Sequence, residues 1–203
     1  MNTPLSPIPL NIYSLNGLQG FNRTVYGAVN GRNFEIHEIL GRLAEYNSRV
    51  SLRVRKADTA RTPYHLCMML SWLLALANRL EVPLHEEVAQ WCKTGLSPNI
   101  PLPELQKHFA SRHIGAILPN TALCLSEKVQ ALQVAVGKYR ATHEKSHFED
   151  TGRKMAQCIE ALCVVAHILE VSLSEEFQTY FGKGCATCHA IPCECGFRAD
   201  KVM

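Results

Sequence analysis

An internal repeat places the strongest constraint on how this chain can fold. When the 203-residue sequence is shifted by 89 positions, the stretch ALANRLEVPLHEEV falls on VVAHILEVSLSEEF without a gap. The same shift places Glu38 on Glu127 and Leu43 on Leu132. We interpret this match as the duplication of a helix-hairpin unit. Because each unit alone leaves an apolar helix face uncovered, the prediction is a pseudo-dimeric helical bundle.

The spacing of apolar residues predicts an all-α fold, because they recur at i, i+3 and i+4 over long stretches and almost no segment alternates as a strand does. We expect the helices at approximately residues 34–55, 62–80, 83–91, 123–142, 150–169 and 174–181, with a shorter one at PELQKHFASRH. The first thirty residues carry Pro, Gly and Asn at short intervals, a composition typical of turns with at most one short strand.

These patterns give a predicted division of the chain into five parts. They are an N-terminal arm at 1–33, a helical unit at 34–95, a linker with a short helix at 96–122, a second helical unit at 123–182, and a cysteine-rich tail at 183–203.

Charge and hydropathy exclude several classes of protein. Lys and Arg number 21 and Asp and Glu 18, a balance too even to indicate a nucleic-acid groove or an anionic membrane by itself. The longest apolar run, Leu66 to Ala77, is shorter than the roughly 20 residues that cross a bilayer. The N-terminus lacks a basic region and contains three early prolines, so we predict a cytoplasmic protein without a secretory signal.

Nine cysteines in a reducing compartment indicate metal binding rather than disulfides. The tail GKGCATCHAIPCECGF holds Cys185, Cys188, Cys193 and Cys195 within eleven residues, and four thiolates can surround one tetrahedral zinc ion. Such a site would be structural, because catalytic zinc keeps an open position. Replacement of one thiolate by His189, and a redox Cys-x-x-Cys, are the alternatives. The other five cysteines lie on or beside apolar helical stretches and are expected in the core.

The stretch WLLALANRLEVPLHEEV, and its copy followed by YFGKGCATCHAIPCEC, resemble the all-α MazG-like nucleoside triphosphate pyrophosphohydrolases, including members with a cysteine-rich tail. The resemblance covers about residues 34–95 and 123–196. It implies a fold of tandem MazG-like helical repeats with a small zinc knuckle. It also implies hydrolysis of nucleoside triphosphates to monophosphate and pyrophosphate, with Mg²⁺ held by an ExxE pair on one helix and an ExxD pair on the next.

Few of the family's magnesium ligands have counterparts here. The ExxE pair corresponds to Glu35 and Glu38 in the first unit, whereas the second unit has Glu127 but Cys124 in place of the other acid. The ExxD positions fall on His65 and Met68, and on Lys154 and Gln157. Methionine or lysine cannot replace a carboxylate that binds magnesium. A solvated helix face is the alternative interpretation of the three glutamates.

Three functional hypotheses follow from these residues. The first is a catalytically degenerate MazG-like protein that acts as a scaffold or binding module for a protein partner in a larger assembly. The second is an active, divergent Mg²⁺-dependent pyrophosphohydrolase that binds a nucleotide through Glu35, Glu38 and Glu127. The third is a zinc-knuckle nucleic-acid binder, suggested by the basic residues Arg49, Arg53, Arg55, Lys56 and Arg61, although the tail has few aromatic residues for base stacking.

Overall fold

A computed structural model describes residues 13–93, 97 and 99–195, and this part of the chain folds into eight α-helices. They are α1 (Leu15–Asn33), α2 (Ile36–Arg55), α3 (Thr62–Arg79), α4 (Leu84–Cys92), α5 (Leu102–Ser111), α6 (Leu118–Thr142), α7 (Lys145–Ile168) and α8 (Leu173–Phe181). The prediction of an all-α fold is confirmed: the same residues contain no strand, only an isolated bridge between Ser14 and Pro101.

The expectation of turns in the first thirty residues is wrong for α1. Ser14 begins this helix as its N-cap, with its hydroxyl accepting a hydrogen bond from the Gly17 N–H at 3.2 Å. The side chains that α1 buries are spaced along one face and include Leu18, Phe21 and Val25. Burial of this face outweighs the weak helix propensity of the glycines and asparagines between them. Residues 1–12 of the predicted arm lie outside the described residues.

Two helices begin earlier than predicted. α6 begins at Leu118, inside the predicted linker, and Pro119 lies in its first turn. A proline is tolerated there because the backbone N–H groups of the first turn have no partner within the helix. α7 begins at Lys145 instead of near Asp150, directly after His143 ends α6 in the left-handed conformation with φ 54°.

The core lies around α3 and α7, which are buried on most of their surface. α2 packs along α3 and α6 along α7, and these two hairpins meet through α2 and α6. Each short helix then contacts the opposite hairpin, because α4 packs against α7 and α8 against α3. In the described part of the chain, no single helix combines the length and the apolar composition needed to cross a membrane.

The turns after α3 and α7 have the same geometry. Glu81 and Glu170 both adopt the left-handed conformation, with φ of 57° and 56°. The Val82 N–H donates to the Ala77 carbonyl at 2.9 Å, and the Val171 N–H donates to the Ala166 carbonyl at 2.8 Å. These bonds form a Schellman motif at each helix end, and the chain bends by 107° from α3 to α4 and by 96° from α7 to α8.

A buried glutamine fixes each of these bends. Gln19 of α1 donates to the Val82 carbonyl at 2.8 Å and accepts from the Leu84 N–H at 3.1 Å. Gln106 of α5 makes the same two bonds, to the Val171 carbonyl at 2.6 Å and from the Leu173 N–H at 3.3 Å. In both places the side chain supplies an acceptor to a free N–H at the start of a short helix.

Candidate metal centre

The cysteine-rich segment begins where α8 ends at Phe181 and turns back on itself at Gly184. This glycine has φ +110°, a conformation that side chains with a Cβ rarely adopt. A Cβ at Gly184 would also lie 2.7 Å from Ile191 Cγ1 and 2.9 Å from the His189 carbonyl oxygen. The close turn brings the first cysteine pair back against the second.

The four predicted cysteines come together in one group, here called the cysteine cluster, whose Sγ atoms all lie within 4.8 Å of one another. Cys185 Sγ lies 3.3 Å from Cys193 Sγ and 3.8 Å from Cys195 Sγ, and Cys188 Sγ lies 3.9 Å from Cys193 Sγ. Zinc–thiolate bonds of about 2.3 Å place the sulfurs of a tetrahedral site about 3.8 Å apart. The sulfurs are therefore arranged closely enough to hold one metal ion.

Backbone N–H groups support the sulfurs of this cluster. The Thr187 N–H donates to Cys185 Sγ, and the Cys195 N–H donates to Cys193 Sγ, each at 3.4 Å. Hydrogen bonds led by that from the Ala190 N–H lower the pKa of Cys188 to about 6, whereas burial raises the pKa of Cys195 to about 11. Donors of this kind stabilise thiolates and orient them as ligands.

The cysteine cluster is fastened to α1 by two hydrogen bonds. The Cys193 N–H donates to the Val25 carbonyl at 2.7 Å, and the Ala186 N–H donates to the Tyr26 hydroxyl at 3.0 Å. The Tyr26 ring also meets Phe181 edge to face, with centroids 6.3 Å apart. Sequence reasoning missed these contacts because it assigned α1 to an arm, although the spacing of Leu18, Phe21 and Val25 was a usable helical signal.

The geometry favours a closed, structural site over the alternatives for this segment. The cluster consists of four cysteines, and His189 is exposed and outside it. Cys185 and Cys188 follow the C-terminal end of α8, whereas reactive Cys-x-x-Cys pairs usually lie at a helix N-terminus. Four protein thiolates leave no position for a substrate, and soft sulfur ligands suit zinc better than magnesium or calcium.

The glutamates predicted as magnesium ligands do not form a comparable cluster. Glu35 precedes α2, and its N–H donates to the Glu38 carboxylate at 2.6 Å, so Glu38 caps its own helix. Glu127 is exposed on α6. Within residues 13–93, 97 and 99–195, the four cysteines are the only group of three or more Cys, His, Asp or Glu side chains placed to share a metal ion.

The residues at the positions of the ExxD pairs do not lie in an environment that resembles a magnesium site. His65 is buried on α3 between Tyr46 and Tyr64, whose ring centroids lie 6.1 and 5.7 Å away. Burial, with the guanidinium groups near it, lowers the pKa of His65. Lys154 and Gln157 are half-buried on α7.

The basic residues singled out above lie at the end of α2 and in the following turn. Two of them are paired with acids: Arg49 with Glu45, and Arg53 with Asp58. These ion pairs reduce the positive charge that the segment presents to a polyanion.

The remaining cysteines follow the expectation of core packing, with one partial exception. Cys67, Cys92, Cys158 and Cys163 are buried, whereas Cys124 is half-buried.

Comparison with known proteins adds no assignment to these observations. No family model, no curated protein and no solved structure matched this chain.

Proposed function

We propose that this chain is a catalytically degenerate MazG-like protein whose two tandem units pack as a pseudo-dimeric bundle and act as a scaffold or binding module. The observation that carries the proposal is that the acidic residues expected to bind magnesium either have a structural role or are replaced by other residues. Glu38 caps α2, and the positions expected to complete a magnesium site hold His65, Met68, Lys154 and Gln157. A hard cation that needs several oxygen ligands finds too few at these positions.

The matched geometry of the helices supports the tandem arrangement. α3 and α7 end 89 residues apart in the same Schellman motif, and α4 and α8 have the same length and the same offset. Each short helix contacts the hairpin of the other set, as an approximate two-fold axis requires. The glutamine contacts extend the similarity to α1 and α5, which begin 87 residues apart.

The proposed resident metal is structural zinc at the cysteine cluster. All four candidate ligands are thiolates, and the separations of their sulfurs suit tetrahedral bonds to one ion. A metal site built from four reduced cysteines is also consistent with the predicted cytoplasmic location.

Exposed apolar residues support a role in binding a protein partner. Ile114 and Ile117, in the turn between α5 and α6, are 91% and 57% exposed, and Leu123 on α6 is 62% exposed. They lie close together in sequence, and clustered exposed aliphatic side chains are typical of interaction surfaces.

The proposal is tested by calorimetric titration of the zinc-loaded protein with Mg²⁺, with and without a non-hydrolysable nucleoside triphosphate. We expect neither ligand to give heat beyond dilution. The Glu38→Gln/Glu127→Gln variant should behave as the parent protein does, and Glu104→Gln, a change at an exposed acid on α5, is the matched control.

Cooperative binding of Mg²⁺ and nucleotide that is lost in the double variant but kept in Glu104→Gln would overturn the proposal. Release of pyrophosphate in the same samples would then establish the active, divergent pyrophosphohydrolase. Nucleic-acid binding that disappears on charge reversal at Arg53 and Arg55 would favour the third hypothesis instead.

A further inference from the structure

A pocket of about 350 Å³ lies between α4, α6 and α7, away from the cysteine cluster. Ala161 and Val164 of α7 form its apolar wall, and Ile117 and Trp91 border it from the turn before α6 and from α4. Glu160 and Lys128 place charged groups in the same lining. Its volume falls within the range of about 300 to 1,000 Å³ that small-molecule sites occupy.

The other hairpin carries a large side chain at the position that corresponds to the pocket wall. α3 and α7 end 89 residues apart in the same turn, so Ala161 of α7 occupies the position of Trp72 in α3. Trp72 packs edge to face against Phe34, with ring centroids 5.1 Å apart. On α7 the indole is replaced by a methyl group, and the pocket opens beside that methyl group.

The pocket also contains a buried acceptor that the fold holds in place. Glu160 is 9% exposed, and its Oε2 accepts a hydrogen bond from the Trp91 indole N–H at 2.7 Å. Its Oε1 lies 3.1 Å from His113 Nε2 and 3.4 Å from Arg112 Nη1. A carboxylate offers about four lone-pair positions, so the three neighbours leave capacity for one further donor.

We propose that this pocket binds a planar aromatic ring system of about the size of indole that carries an N–H donor. The ring packs against Ala161 and Val164, where the fold lacks the indole that Trp72 supplies on α3. The N–H donates to the Glu160 carboxylate, whose position Trp91, His113 and Arg112 already fix. This inference uses the side chains of the pocket and does not depend on the MazG-like assignment.

The probes are indole and 1-methylindole, added to the ¹⁵N-labelled, zinc-loaded full chain and followed by two-dimensional NMR. Indole should shift amides around residues 157–164 with submillimolar affinity. 1-Methylindole has nearly the same shape without the N–H, so its affinity should be at least about tenfold lower. N-acetyltryptophanamide forms a third arm: binding as tight as that of indole indicates a tryptophan side chain of a partner, and weaker binding indicates a free small molecule.

A pair of variants tests the place of binding. Ala161→Trp supplies the side chain that α3 already has and should abolish the indole shifts. Val134→Trp adds the same bulk at an exposed site on α6 outside the pocket and should leave them unchanged. The ligand comparison does not depend on how well Ala161→Trp folds.

Three results would overturn the proposal. They are no amide shifts at millimolar indole, equal affinities for indole and 1-methylindole, and indole binding that persists in a folded Ala161→Trp protein.

Discussion

The helices α1–α4 and α5–α8 share their turns and their glutamine contacts, but they differ at their leading helices. α1 has 19 residues and α5 has 10. Because the two helices begin 87 residues apart, Ser111 at the end of α5 corresponds to Thr24 of α1. Val25 and Tyr26, which hold the cysteine cluster, therefore lie on the part of α1 that has no counterpart. The helix that supports the cysteine-rich segment is therefore longer than its counterpart in the other set.

The two sets also differ in how they fill the space beside their central helices. α3 carries Trp72 against Phe34, whereas α7 carries Ala161 beside a pocket. The same backbone arrangement therefore carries a pair of packed aromatic rings in one set and the wall of a pocket in the other. At this position a side chain, rather than the path of the helix, makes the two sets different.

The largest expected effect comes from a substitution in the cysteine cluster, the feature that α1 supports and α5 does not. Cys193→Ser removes a buried ligand, and we expect bound zinc to fall from one ion per chain to less than a tenth. Loss of a structural metal site should also cost about 3 kcal/mol or more, which lowers Tm by about 6–12 °C in a chain of this length. Metal content is measured by atomic emission, and stability by calorimetry.

Cys124→Ser is the matched control, because it changes a half-buried cysteine outside the cysteine cluster. It should keep a full equivalent of zinc. Retention of stoichiometric zinc by Cys193→Ser would contradict the assignment of this residue as a ligand.

The second expected effect tests whether the two glutamine contacts are equivalent. Gln19→Leu and Gln106→Leu each leave a buried carbonyl and a buried helix N–H without a side-chain partner, so each should cost about 2–4 kcal/mol. The free energy of unfolding in urea provides the measurement. Gln130→Leu, at an exposed position on α6, should change it by less than about 0.5 kcal/mol.

Similar losses in both variants would mean that the two bends contribute alike to stability. A loss confined to Gln19→Leu would instead show that the longer α1 holds its bend more strongly than α5 does.

The smallest expected effect is a pH dependence of stability that comes from α3 and not from α7. Burial and the nearby guanidinium groups of Arg49, Arg53 and Arg61 lower the pKa of His65 in the folded state. The unfolded chain, with a histidine pKa of about 6.5, then takes up a proton more readily than the folded chain. Stability contributed by neutral His65 is present above about pH 6.5 and is lost as the pH falls below it.

His65→Gln should therefore flatten the fall in Tm between about pH 7 and pH 5. His167→Gln, which changes an exposed histidine near the end of α7, should keep the slope of the parent protein. An unchanged slope in His65→Gln would show that other groups cause the pH dependence. Lys154 occupies the matching position on α7, so we assign the effect to α3 alone.

The sequence was sufficient to predict the all-α fold and the residues of the cysteine cluster, because both depend on local spacing. Periodic apolar residues define helices, and four cysteines within eleven residues can meet without help from distant parts of the chain. The predicted bounds of α4 and α8, 83–91 and 174–181, each lie within one residue of the bounds in the structure.

The features that the sequence did not predict depend on contacts between distant residues. α1 has poor local helix propensity and is held by burial of Leu18, Phe21 and Val25. The pocket lies where α7 has Ala161 and α3 has Trp72. The effect of this difference in size can be seen only when the positions of the two helices and their neighbours are known. Glu160, with its partners Trp91 and His113 from separate segments, could not be distinguished from other acids on helices.

The fastening of the cysteine cluster to α1 has a consequence for the order of folding. The Ala186 to Tyr26 hydrogen bond joins residues 160 positions apart, whereas the four cysteines of the cluster lie within eleven residues of one another. Contacts that close so long a loop are slow to form, whereas the four cysteines close only short loops when they meet. We therefore expect the cysteine loop to form early in folding, before it docks on α1. Docking of this loop on α1 would then be among the last steps of folding, so the two hydrogen bonds to α1 would be present only in the completely folded chain.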